Sequence, residues 1–167
     1  MLYLPYAIKR YWAAPVITAH IDEIDGNIWT VPGAKMKGNL GETQDFRVPL
    51  SDEALRVIER AKENSEDGYL FPGKRQSTIS LDSMAAIMRK RGLEARPHGF
   101  RTSLKTWMSE TQQVNREVSE MVISHQTGSR IERAYNRTDY FEQRLQLMIK
   151  WGNHILAMTK IRQPTIG

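Results

Sequence analysis

Apolar residues recur along this chain at two spacings, and the change from one to the other divides it. Near the front the pattern is short and β-branched. Asn27 to Val31 (NIWTV) follows a turn at Asp25-Gly26 and predicts a strand. Phe46 to Leu50 (FRVPL) predicts a second one, with Pro49 marking an edge or a strand end. A polar, glycine-containing loop from Lys37 to Asp45 joins them. From Ser51 onward the period is helical. Ser51 is a good N-cap, Asp52 and Glu53 suit the positive end of a helix dipole, and Leu55, Val57 and Ile58 give an apolar side through about Glu63. Ser65 to Gly68 reads as a turn, and Tyr69 to Phe71 as a short apolar segment ended by Pro72-Gly73. Leu81 to Arg91 predicts a second helix, with Met84, Ile87 and Met88 on one side and Gly92 as its stop signal. A third starts near Pro97 to Gly99 and runs to about Glu110; Glu117 to Ser124 is a short helix, and Ser129 to Tyr135 is read as helical too. Asp139 to about Met158 is the longest periodic segment, carried by Leu145, Met148, Ile149, Ile155 and Leu156. The stretch up to Ala19 is ambiguous, any helix there being interrupted by Pro5 and Pro15, and Thr159 to Gly167 reads as a loose tail. The expectation is one domain over residues 1–167, mainly α with a small antiparallel β-sheet (α+β).

Composition narrows the classes. At 167 residues and 40% hydrophobic content the chain is long enough for one real core. Its formal net charge of +5 and pI near 9.6 favour a polyanionic partner, although many basic proteins have none. There is no cysteine, so disulfides and thiolate metal sites are excluded. No apolar run reaches the roughly 18 residues that span a bilayer, and MLYLPYAIKRYW is too interrupted for a secretory leader. The reading is of a soluble, cytoplasmic protein with no membrane role.

Four features bear on chemistry. In Arg96-Pro97-His98-Gly99-Phe100-Arg101, His98 and Arg101 are three apart and share one helix face near a helix start, where backbone N–H groups favour an anion. Arg89, Lys90, Arg91, Arg96, Arg101 and Lys105 make a dense basic run there, and a guanidinium fork grips two phosphate oxygens well. His125 stands at an expected helix end before Gly128. Tyr135 follows ten residues later between Arg133 and Arg137; a phenol needs such an electropositive site to attack as the phenolate. Lys37, with Lys35 as a nearby rival, enters the loop between the strands and is placed to hand a proton to a leaving oxygen. Taken singly, each feature is better read as a solvated basic helix, a capping histidine, a packed tyrosine or a surface lysine.

Together they resemble the tyrosine recombinase family, in particular the catalytic domain of phage and genomic-island integrases. The matching stretches are WTVPGAKMKG, RVPLS, YLFPG, HGFR, ISHQTGSRIERAYNR and YFEQRLQLMIKW, covering about Ile24 to Trp151. The resemblance implies a DNA breaking-rejoining fold and site-specific recombination, in integration or excision, through a phosphotyrosyl intermediate. Tyr135 would be the nucleophile, Arg101 would hold the non-bridging phosphate oxygens, His98 would assist proton transfer or orient the phosphate, His125 would hydrogen-bond it, and Lys37 would be the general acid. Arg10, Lys35, Arg89, Arg91, Arg96 and Lys105 are further candidates for touching DNA. No metal, cofactor or small-molecule substrate is implied. The partners implied are double-stranded DNA and further copies of the chain, the family acting as a tetramer that exchanges C-terminal segments; residues after Trp151 would serve that exchange or pack on their own domain.

The sequence departs from the family at one place. A Thr-Gly-x-Arg-x-Gly-Glu-like motif carrying another catalytic arginine is absent: counting back from Ile24-Asp25, the arginine falls near Trp12 and the glutamate near Pro15, and Arg10 is the nearest substitute. Losing such a charge donor costs on the order of 10²–10³ in rate. An impaired remnant that binds DNA without cutting it is therefore the alternative. A basic helical interaction module without phosphate chemistry is a more distant one, and a type IB topoisomerase is a chemical cousin that the HGFR and AYNR surroundings disfavour.

Overall fold

A computed structural model of the chain describes residues 10–36, 43–73, 78–94, 97–123 and 138–161, the side chains of 10–13, 81, 97, 98, 160 and 161 excepted. Six α-helices lie among these: α1 (Arg10–Ile17), α2 (Asp52–Lys62), α3 (Leu81–Lys90), α4 (Pro97–Thr111), α5 (Arg116–Val122) and α6 (Phe141–Ile161). A three-stranded antiparallel sheet of order β1-β2-β3 joins β1 (Ile24–Asp25), β2 (Ile28–Val31) and β3 (Phe46–Pro49). The expected mainly helical fold with a small antiparallel sheet is the one found.

The two foreseen strands pair with Trp29 opposite Val48 and Val31 opposite Phe46. Pro49 sits at the end of β3, on the sheet edge, where its missing N–H costs no ladder bond. Trp29 and Val31 point inward against Val16, Leu50, Ile58, Leu70 and Met84. Ser51 caps α2 as expected, its hydroxyl accepting from Ala54 N–H at 3.3 Å. A second core gathers Leu104, Trp107 and Met108 of α4, Val118 and Val122 of α5, Ile123, and Leu147 and Trp151 of α6. Helix α6 belongs to the second core and also packs on β3 and α2. Its Gly152 lies so close over α2 that an added Cβ would meet Ser51 Oγ at 3.1 Å.

Several expectations need correction. Pro15 does not interrupt α1 but lies inside it, one of the most completely buried side chains, so packing offsets the backbone bond it cannot make. The buried seam of α6 runs through Arg144, Leu147 and Trp151, while Leu145 and Ile149 are only half-buried. The helix also continues to Ile161, into the stretch read as a loose tail. In α3, Met84 and Met88 are buried but Ile87 faces solvent. Strand β1, two residues long, was below what alternation reveals. The helix expected over Ser129 to Tyr135 lies outside the described residues.

Candidate functional site

Helix α4 begins at Pro97, where a residue without an N–H costs nothing because first-turn N–H groups have no helical partner. This start puts His98 and Arg101 in successive turns of one helix, as their spacing foretold. The Arg101 side chain is buried, 6% exposed, and one of its terminal nitrogens, Nη1, donates to the backbone carbonyl of Ile123. Burial pushes its pKa down from the ordinary guanidinium value, and the carboxylate of Glu120 works against that shift. A guanidinium remains cationic under any working condition. One turn on, Lys105 donates to Glu120 Oε1 at 2.8 Å, and Glu120 is itself buried. Glu120 therefore pairs with Lys105 and also acts electrostatically on Arg101. Among the described residues Arg101 makes one hydrogen bond, which uses one of its five donors.

The second element is the base of the β2–β3 connection. Lys35 closes a short 3₁₀ turn, Gly33–Lys35, and donates to Glu23 and to the Thr18 carbonyl. Glu23 also accepts from Trp29 Nε1 at 3.0 Å and from His20 N–H at 3.3 Å. Lys35 is thus committed to an internal network rather than presented to a groove. Across the loop, Gly33 N–H donates to Asp45 Oδ1 at 2.9 Å, and a Cβ on Gly33 would lie 1.8 Å from the Thr43 carbonyl oxygen. Only glycine permits that approach, which fixes both ends of the connection that carries Lys37.

The third element is the junction at the start of α6. Arg144 is 1% exposed; its Nε donates to Asp139 O at 2.6 Å and its Nη1 to Arg47 O at 2.7 Å. Its charge lies over the rings of Phe46, at 4.9 Å, and Phe141, at 5.8 Å. Asp139 receives Arg47 Nε at 3.0 Å and Nη2 at 2.6 Å on one oxygen, and Phe141 N–H at 3.2 Å on the other. Burial lowers the Arg144 pKa, with Asp139 opposing and Arg47 adding to the shift.

Of the candidates read from sequence, Arg101, Lys35 and Lys105 are placed with their side chains as above. Arg89 and Arg91 are exposed at the C-terminal end of α3. Arg10 and His98 are placed by their helical backbone, while Lys37, Arg96, His125 and Tyr135 lie outside the described residues. Glu23, Glu120, Asp139 and Arg144 escape a reading of the sequence, because each also pairs with a residue at no helical or strand spacing: Lys35, Lys105 and Arg47 lie 12 to 97 residues away. Among the described residues no group of His, Asp and Glu side chains could hold a metal ion, and no helix is long and apolar enough to cross a membrane.

Comparison with known proteins adds the following. The model of the phage integrase family matches residues 15–142. Prophage integrase IntA of Escherichia coli (strain K12) is 34% identical over 151 residues, covering 86% of this chain and 35% of the relative. The integrase of Shigella phage Sf6 is 22% identical over 137 residues, covering 78% of this chain and 34% of the relative. The chain therefore spans about a third of the length of these curated relatives. A solved structure, the integrase from mycobacterium phage Brujita, superposes with a TM-score of 0.61 at 21% identity, covering 87% of this chain and 48% of that one. At that identity the superposition speaks for the fold.

Proposed function

Because the chain belongs to the phage integrase family, we propose that it is the DNA strand-exchange domain of a site-specific recombinase with Tyr135 as its nucleophile. The observation that carries this is Arg101: a buried, permanently charged fork with most of its donors uncommitted among the described residues. A buried cation with most of its donors unclaimed by the described residues suits an anion that it meets in function. In this reading Tyr135 Oη attacks the scissile phosphorus, forming a 3′-phosphotyrosyl bond as the P–O5′ bond breaks. The departing O5′ takes its proton from Lys37. Lys35 is the poorer general acid, since it is tied to Glu23 and the Thr18 carbonyl. Arg101 holds the non-bridging oxygens, His98 assists proton transfer by accepting the phenol proton or orients the phosphate, and His125 hydrogen-bonds that phosphate. A second 5′-hydroxyl then attacks the phosphotyrosine and releases the phenol, so bond energy is conserved without nucleotide or metal. The partners are duplex DNA and further copies of the chain, as a tetramer; the unit is one domain over 1–167, acting in the cytoplasm. Arg10, Arg89, Arg91, Arg96 and Lys105 would contribute backbone contacts to the duplex.

The test uses nicked duplexes of randomised sequence around the nick, labelled on the strand that would stay attached. The expected result is a covalent protein–DNA band on a denaturing gel that disappears in Tyr135→Phe. A band that persists in Tyr135→Phe refutes the assignment. The missing arginine motif near Trp12 favours a second reading, a remnant that binds DNA without cutting. It expects salt-sensitive binding and no covalent band, so efficient cleavage eliminates it.

A further inference from the structure

We propose that Arg144 and Asp139 are positioning residues for Tyr135, holding the chain at the point from which the nucleophile is presented. The inference deepens the reading of Tyr135 as nucleophile and rests on it. Chain reach decides which anchor matters to which residue. Tyr135 is four residues before Asp139, so its Cα lies within roughly 14 Å of the Asp139 Cα, at about 3.3–3.6 Å per residue. Counted from Ile123, twelve residues away, the same rule allows about 40 Å, which constrains Tyr135 hardly at all. His125 is two residues from Ile123 and so is held within about 7 Å of it. The Arg101 bond to the Ile123 carbonyl thus serves the histidine, and the knot at Asp139 serves the tyrosine.

That knot is over-determined for a mere helix start. Both Asp139 oxygens accept hydrogen bonds, its carbonyl accepts from Arg144, and Arg144 reaches on to the β3 carbonyl of Arg47. Between them Tyr140 has φ of 49°, a left-handed conformation that costs a bulky residue energy and persists only where its surroundings enforce it. A buried guanidinium is also a poor way to gain stability, since well-packed apolar side chains generally do as well or better. What it provides is direction: it fixes the α6 start against β3, one geometry among those a greasy contact would tolerate. Asp139 and Arg47 are about half-exposed, so changing them should leave the cores intact.

The absence of cysteine lets the position be measured directly. Spin labels at Tyr135→Cys and at Glu59→Cys, on the exposed side of α2, report a distance distribution by electron-spin resonance. The expected result is a distribution at least twofold broader in Asp139→Asn and in Arg144→Met, and unchanged in Arg56→Met, which breaks an unrelated exposed ion pair with Glu53. Equal widths in all variants overturn the proposal, and Asp139→Asn decides should Arg144→Met fail to fold. A second arm uses the labelled nicked duplexes. Asp139→Asn is expected to slow adduct formation at least tenfold while DNA affinity stays within threefold. Replacing the leaving O5′ by sulfur, which departs as a thiolate without a proton, should restore Lys37→Ala but not Asp139→Asn. Restoration of Asp139→Asn by sulfur would place the defect at the leaving group and overturn the proposal. If the unmodified chain forms no adduct, the nucleophile reading falls, whereas the distance widths still decide whether the knot fixes position 135.

Discussion

Two buried arginines, Arg101 in α4 and Arg144 in α6, answer to opposite demands. Arg144 is tied in place: its Nε and Nη1 donate to two carbonyls, Asp139 pairs with it and two aromatic faces lie against it, although its buried Nη2 has no hydrogen bond among the described residues. Arg101 makes one described hydrogen bond, to a carbonyl, and feels the charge of Glu120, which pairs with Lys105. Burial lowers the pKa of each. The difference teaches that burial of a cation does not by itself mark a site. What separates the two is what their bonds join: those of Arg144 tie the start of α6 to β3, whereas the role proposed for Arg101 is to meet phosphate.

Several substitutions would break or sharpen that contrast. The largest effect is expected for Arg101→Ala, which should reduce adduct formation by about 10²–10³; Arg101→Lys should recover little, because a point charge cannot reproduce a two-pronged grip. Quenched gel time courses measure both, and near-normal rates in Arg101→Lys would erase the distinction. Next, Leu104→Ala removes a fully buried side chain one turn from Arg101, and urea denaturation should report a loss of about 2–5 kcal/mol. A similar loss in Arg101→Ala would mean that Arg101 is structural after all. Glu120→Gln should cost about 1–2 kcal/mol in the same assay, since a charged acceptor of Lys105 is lost from a buried place, with adduct formation falling less than in Arg101→Ala. The smallest effects are expected at the exposed Arg89 and Arg91. Alanine at either should lower the slope of log affinity against log salt by about one, without altering the chemistry of cleavage.

The parts legible from sequence were those written in local periodicity. The strand pair, the Ser51 cap, and the bounds of α2, α3 and α4 follow from neighbours within a few residues, and the structure has them. Errors arose where distant packing overrides local signal. Arg144 looks like a solvent residue until Phe46 and the Arg47 carbonyl, 97 residues upstream, close over it, which also displaces the buried seam of α6. Pro15 looks like a break until its ring is buried. Lys35 looked like a rival to Lys37, and only folding reveals that Glu23 claims it. The HGFR motif placed Arg101 on the right helix, but its tie to Ile123 could not be read from spacing.

The most direct measurement is to locate the DNA on the protein after cleavage. Trypsin cuts after Arg133 and Arg137, releasing Ala134–Arg137 with a single tyrosine, while Tyr140 falls in the next peptide, Thr138–Arg144. Mass spectrometry of the nuclease-trimmed adduct should find the nucleotide on the first of these peptides, at Tyr135. A nucleotide on the peptide of Tyr140, or on any other residue, would contradict the account.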